Sequence, residues 1–113
     1  MTVDLHLQSC EACSPEATPL SPDTQQQLLC SLTDWEIITV DGINRLRRHY
    51  KFKNFRQALA FTNSIGAMAE EQGHHPGILT EWGAVTVEWW SHSIKGLHNN
   101  DFVCAAKTDE IFG

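Results

Sequence analysis

The chain has 113 residues, 42% of them hydrophobic and 19% charged, enough for one domain with a modest core and too few for two. Its formal net charge of −6 argues against sequence-independent nucleic-acid binding, which draws its affinity from basic surface. No apolar run approaches the roughly 18 residues a membrane helix needs. The start, Met1-Thr2-Val3-Asp4-Leu5-His6, lacks the basic and apolar regions of a secretory signal, so a cytoplasmic protein is expected.

Residues 1–20 show no sustained periodicity and contain Pro15 and Pro19, which predicts a flexible or loosely docked leader ahead of a single domain over 21–113. Within that leader, Cys10-Glu11-Ala12-Cys13 has the spacing of a zinc half-site or a redox pair. No second such pair follows and no strand-then-helix pattern surrounds it, so it reads as incidental. With no sign of secretion, all four cysteines, Cys30 and Cys104 included, are expected reduced.

Ser21-Pro22-Asp23 is a helix start, with Ser as cap, Pro at the first helical position and Asp at the positive end of the dipole. The helix is expected to run through Gln25–Leu32 and turn Leu28, Leu29 and Leu32 inward. Trp35 to Val40 is β-rich and meets Asp41-Gly42, a two-residue hairpin signal. The returning strand, about Ile43–Lys53, aims Leu46, Tyr50 and Phe52 at the core, with Arg48 on the same side. Its alternate positions Arg45, Arg47, His49, Lys51 and Lys53 form a cationic stripe, read as a solvated sheet face in preference to an anion or partner surface.

Asn54 can cap a second helix, in which Phe55, Ala58, Leu59, Thr62, Ile65 and Ala69 keep helical spacing while Phe61 and Met68 widen the apolar face. Gly73 suits the left-handed residue that closes it. Ile78–Trp82 and Ala84–His92 read as two further strands. The second puts Val85, Val87, Trp89 and Ser91 on one face and His92 on the other. Asn99 or Asn100 can cap a last helix from Asp101 to about Ile111. The order α-β-β-α-β-β-α implies an α+β fold, a four-stranded antiparallel sheet with three helices packed on one face. Such a sheet has two edges, which makes a homo-oligomer, dimer or tetramer, the expected state. A monomer mass independent of concentration in light scattering would reject it.

Between Glu70 and Asp101 the chain concentrates Glu70, His74, His75, Pro76, Trp82, Ser91, His92 and Asp101. Imidazoles take and give protons near neutrality, so histidines with flanking carboxylates and an aromatic platform suggest acid–base work on a flat polar heterocycle. Metal binding is the chemical rival, but helical HxxxH spacing is absent and no cysteine lies close in sequence. Singly, each residue has a plain structural reading: Trp82 as core, Asp101 as a helix N-terminal residue, Glu70 as a solvated helix residue. No GxSxG, GxxxxGK[ST] or GxGxxG motif supports another catalytic template.

The series Glu70-xxx-His74-His75-Pro76, Trp82, His92, Asp101 resembles the signature of the pterin-4a-carbinolamine dehydratases. The likeness runs from about Ser21 to Phe112. It takes in Asp34-Trp35, Phe52-Lys53-Asn54-Phe55 and Lys95-Gly96-Leu97, with Ala60-Phe61-Thr62-Asn63 and Ala105-Ala106-Lys107-Thr108 resembling the bacterial branch. It implies a hydro-lyase that dehydrates 4a-hydroxy-tetrahydropterin to quinonoid dihydropterin and so recycles the cofactor of aromatic amino acid hydroxylases in phenylalanine metabolism. Pterin would be the substrate, with no metal or organic cofactor. By that resemblance His74 and His92 would move protons at the 4a-hydroxyl, His75 would bind and orient the pterin, and Glu70 and Asp101 would orient the imidazoles. Pro76, Trp82 and Ser91 would belong to the substrate site. One departure is Gly73, where animal relatives carry an acidic residue. The alternative is a protein-binding regulator of a hydroxylase or of its expression, needing no catalysis. A zinc module using Cys10, Cys13 and histidines is the weaker third reading.

Overall fold

A computed structural model describes residues 5–7 and 18–113. In chain order the elements are α1 (Pro22–Leu29), β1 (Glu36–Val40), β2 (Ile43–Lys51), α2 (Phe55–Gln72), β3 (Gly77–Glu81), β4 (Ala84–Trp89) and α3 (Asn99–Phe112), after a short 3-10 turn at Leu5–Leu7. The strands pair antiparallel in the order β1-β2-β4-β3, which leaves β1 and β3 as edges. The expected α-β-β-α-β-β-α arrangement is the one found. No helix among the described residues is long and apolar enough to cross a membrane.

Local chemistry accounts for most boundaries. The Ser21 side chain accepts from the Thr24 amide at 3.3 Å and Pro22 opens α1. Asp41 and Gly42 both adopt positive φ, 53° and 77°, as the tight hairpin between β1 and β2 requires. Asn54 caps α2 by accepting from the Gln57 amide at 2.8 Å, and Gly73, at φ 66°, closes it.

The core lies between the helices and one face of the sheet. Leu46, Tyr50, Val85, Val87 and Trp89 point inward from β2 and β4, against Ala58, Phe61, Ile65 and Ala69 of α2 and Phe102, Val103 and Ala105 of α3. Leu5 is also buried, and the Lys107 ammonium donates to the His6 carbonyl at 2.9 Å, so the Leu5–Leu7 turn docks on α3. The opposite sheet face carries the cationic stripe, which cross-strand acceptors largely match. Arg45 pairs with Glu88 at 3.0 Å, Arg47 with Glu36 at 2.8 Å, and His49 Nδ1 lies 2.7 Å from Thr86 Oγ1.

Several expectations shift. The first helix ends at Leu29, not Leu32, because Ser31 and Leu32 turn to i→i−3 bonds with Leu28 and Leu29. Leu32 stays buried beyond it. β2 stops at Lys51, since the chain swings away to cap α2 and Phe52 donates instead to the Gly83 carbonyl at 2.8 Å. Phe55 and Leu59, expected inward, are exposed: the buried stripe of α2 centres on Ala58, Phe61, Ile65 and Ala69 and leaves those two on its flank. β3 begins one residue earlier than expected and ends at Glu81, while β4 ends at Trp89 rather than His92.

Arg48, on the core side as expected, is neutralised by Asp109 at 2.6 Å and Asp34 at 3.5 Å. Asp109 Oδ1 also accepts from the Tyr50 hydroxyl at 2.6 Å and the Trp35 indole N–H at 3.0 Å, tying α3 to β2 and to the segment entering β1. Burial of the Tyr50 phenol, then the Asp109 carboxylate beside it, push its pKa upward. The phenol therefore keeps its proton in the fold at pH values where the unfolded chain, titrating at about 10, releases it. That contribution to stability is complete below about pH 10 and declines as pH rises above it. Tyr50→Phe should cost about 1.5–3 kcal/mol at neutrality, the worth of a hydrogen bond to a charged group. The gap to wild type, followed by urea denaturation, should narrow above about pH 10; a constant gap at that alkaline end would count against this account.

Candidate active site

The α2–β3 junction, the end of β4 and the start of α3 converge on one buried carboxylate. Asp101 has no solvent exposure, and its oxygens accept three hydrogen bonds. His74 Nε2 lies 2.6 Å from Oδ1, while the Ser91 hydroxyl and the His98 amide each donate to Oδ2 at 2.8 Å. A carboxylate with that set only accepts, so the His74 hydrogen sits on Nε2, and a neutral ring has its basic lone pair on Nδ1.

Each donor reaches Asp101 through local structure. Gly73 turns the chain left-handed at the end of α2 and drops His74, 7% exposed, just beyond the last turn. Ser91 is two residues past β4, kept in line by a bridge in which its amide donates to the Gly96 carbonyl at 2.9 Å. His98 caps α3: its Nδ1 accepts from the Asn100 amide at 3.2 Å while Asp101 accepts from its backbone in return, completing a capping box. The cap was expected at Asn99 or Asn100, which are better cap formers by type. The partner three residues on decides it, because Asp101 can bond back only to the amide of residue 98. The spacing His98-x-x-Asp101 was the available signal.

Below His74 lies Trp89, its ring centroid 5.6 Å from the imidazole and nearly parallel at 14°. Trp89 is fixed in turn: its indole N–H donates to Thr108 Oγ1 at 3.1 Å, and Thr108 donates to the Cys104 carbonyl at 2.7 Å. One face of α3 thus supports both the edge of the His74 ring, through Asp101, and its flat side, through Trp89.

The other sequence candidates are spread around this centre. His75 points outward, 60% exposed at the side chain, with Nε2 2.7 Å from Glu70 Oε1. His92 is exposed and its ring stands 4.5 Å from that of Trp90 at 39°. Pro76 links His75 to β3 and is partly buried. Trp82 is neither core nor neighbour to His74. It is 73% exposed at the β3–β4 turn, beyond the Glu81↔Ala84 pair, whereas His74 adjoins the opposite end of β3 near Gly77↔Glu88. Five strand residues at about 3.3 Å each separate the two ends.

Among the described residues no group of three or more His, Cys, Asp or Glu side chains is placed to hold a metal ion. The Cys10-x-x-Cys13 pair lies outside the described residues.

Removing the buried acceptor strands three donors, and an unsatisfied buried group costs about 1–3 kcal/mol. Asp101→Ala should therefore lower unfolding free energy by about 3–5 kcal/mol. Asp101→Asn, which keeps one acceptor oxygen, should cost less and should release the His74 Nε2–H, readable as a changed tautomer in 15N spectra. An unaltered denaturation midpoint in both variants would contradict the geometry.

Comparisons with known proteins identify the family. Residues 18–111 match the model of the pterin 4 alpha carbinolamine dehydratase family. A Nitrosococcus oceani protein provisionally named pterin-4-alpha-carbinolamine dehydratase is 59% identical over 108 residues, covering 96% of each chain. A Vibrio cholerae protein with the same provisional name is 60% identical over 102 residues, 90% of this chain and 94% of its own. The crystal structure of a Brucella melitensis protein described as a transcriptional coactivator/pterin dehydratase superposes with a TM-score of 0.77 at 30% identity, over 85% of this chain and all of that one. A pterin dehydratase-like protein identified as a RuBisCO assembly factor in the alpha-carboxysome shares the fold alone, at 22% identity and a TM-score of 0.60, over 71% of this chain and 90% of that one. The chain belongs to the pterin-4-alpha-carbinolamine dehydratase family.

Proposed function

We propose that this protein is a hydro-lyase that dehydrates 4a-hydroxy-tetrahydropterin to quinonoid dihydropterin, using its histidines for acid–base catalysis. The observation that carries the reading is the His74–Asp101 pair: a buried carboxylate that fixes the tautomer and direction of an imidazole just past α2, stacked on Trp89 at the end of β4. Loss of the 4a-hydroxyl needs an acid to protonate the departing oxygen and a base to take a ring N–H proton, so that water leaves and the ring gains a double bond. Positioned general acids and bases typically contribute about 10²–10⁴-fold.

In this reading His74 and His92 move the protons, and His75, directed by Glu70, binds and orients the pterin. Asp101 holds His74 and stabilises its cationic form, with Ser91 steadying the carboxylate. Pterin is the substrate and no metal or organic cofactor takes part. The reaction would return pterin to an aromatic amino acid hydroxylase, in the cytoplasm and in a homo-oligomer. Trp82, exposed at the far turn, is not held against His74 within one chain.

A second reading rests on the Brucella melitensis relative, whose description joins coactivator and dehydratase. Here it would be a regulator of a hydroxylase or of its expression, independent of catalysis.

The test is the appearance of quinonoid dihydropterin from 4a-hydroxy-tetrahydropterin made in situ by a phenylalanine hydroxylase. Wild type should accelerate it well above spontaneous dehydration, and His74→Ala should lose about 10²-fold or more. No acceleration by wild type would remove the lyase reading and leave the regulator. Full activity in His74→Ala would keep the lyase but remove its proposed histidine.

A further inference from the structure

The three site histidines are restrained in different ways. Asp101 holds His74 and Glu70 holds His75, each by a hydrogen bond from Nε2. His92 has no hydrogen bond or ion pair with a described residue; the contact that places it is the ring of Trp90, 4.5 Å away. An exposed imidazole without a polar anchor samples several rotamers, and misplacement of a reacting group by about 1 Å can cost 10²-fold in rate.

Trp90 is itself clamped. It lies on the sheet face away from the helices, where Arg45 of the neighbouring strand sets its guanidinium carbon 3.8 Å from the indole centroid. Arg45 is directed by Glu88, two residues before Trp90, at 3.0 Å. The far edge of the indole rests on Gly77, which directly follows His75-Pro76. A Cβ at Gly77 would already stand 3.4 Å from Cζ3 and 3.5 Å from Cη2 of that ring. The indole is therefore a spacer between the backbone leading from His74 and His75 and the ring of His92.

We propose that Trp90, steadied by Arg45, is a positioning residue that sets where His92 stands relative to the His74–Pro76 segment. This rests on the reading of His92 as a proton-transfer group. A cation over the indole face adds attraction beyond packing and holds the ring at one tilt. Glu88 keeps Arg45 from swinging into solvent.

The experiment measures kcat and KM for dehydration in Trp90→Leu, Trp90→Phe and Arg45→Met, each with His92 present and in a His92→Ala background. Denaturation midpoints report folding alongside. Trp90→Leu should lower kcat by about tenfold or more with KM within about twofold, and Trp90→Phe should recover most of it. Arg45→Met, which leaves the indole in place, should show a smaller loss of the same kind. In the His92→Ala background none of these changes should add more than about twofold, as expected of residues acting through one group. Equal losses in both backgrounds, or no loss with His92 present, would overturn the inference.

The ring protons of His92 give a readout that does not depend on catalysis. In wild type they should be shifted upfield by the indole and return toward exposed-histidine values in Trp90→Leu. An unmoved signal would overturn the positioning itself. Wild-type kcat in His92→Ala together with a moved signal would instead remove the proton-transfer reading of His92 and take the inference's catalytic part with it.

Discussion

A carboxylate with no solvent exposure stands at the meeting point of α2, β4 and α3, and its desolvation is tolerable only because three donors converge on it. Each donor comes from a different stretch of chain: a residue just past one helix, a residue just past a strand, and the backbone amide that opens another helix. Each is brought into place by its own local structure, and the carboxylate ties the three together. Asp101 therefore makes the site a property of the assembled fold rather than of any single loop, and it leaves His74 with one tautomer and one direction.

The supporting element is α3. Half of its 14 residues are buried, and its polar residues work inward as much as its apolar ones. Asp101 binds His74 at its first turn, Thr108 holds the indole of Trp89 beneath that imidazole, and Asp109 collects Trp35, Arg48 and Tyr50 near its last turns. The first two build the site and the third locks the helix to the sheet that carries it. A polar network of this kind specifies one arrangement more sharply than apolar packing does, because a shifted register would strand several buried donors at once.

What the sequence made legible was local. Ser21-Pro22, Asp41-Gly42, Asn54 and Gly73 are read by their own backbone preferences, and the structure uses each as expected. Alternation along β4 put Val85, Val87, Trp89 and Ser91 inward, and they are. Long-range choices were not legible. The cap of α3 passed to His98 over two better cap formers, since a partner three residues on decided it. Phe55 and Leu59 have the right spacing for the core, but the rotation of α2 about its axis is set by what Phe61 and Ile65 meet across the sheet. At the candidate site, residue types and spacing offered the histidines and Asp101 as candidates. They could not give the pairing of His74 with Asp101, 27 residues apart, or the distance of Trp82 from both. Arg45 reads from sequence only as one member of a solvated cationic stripe, and its stacking on Trp90 exists only once the sheet lays one on the other.

Gly96 gives the segment before α1 an unexpected reach. A Cβ at that position would stand only 2.8 Å from the Pro19 ring, and the Leu20 amide donates to the Leu97 carbonyl at 2.8 Å. The two residues before Ser21 thus close over the loop running from Ser91 to Gly96, on which His92 sits. A cut or a bulky fusion placed at the first turn of α1 would look harmless by secondary structure alone. It would strip the brace from that loop and surrender loop rigidity some 70 residues away in sequence, because here the lever arm is spatial rather than sequential.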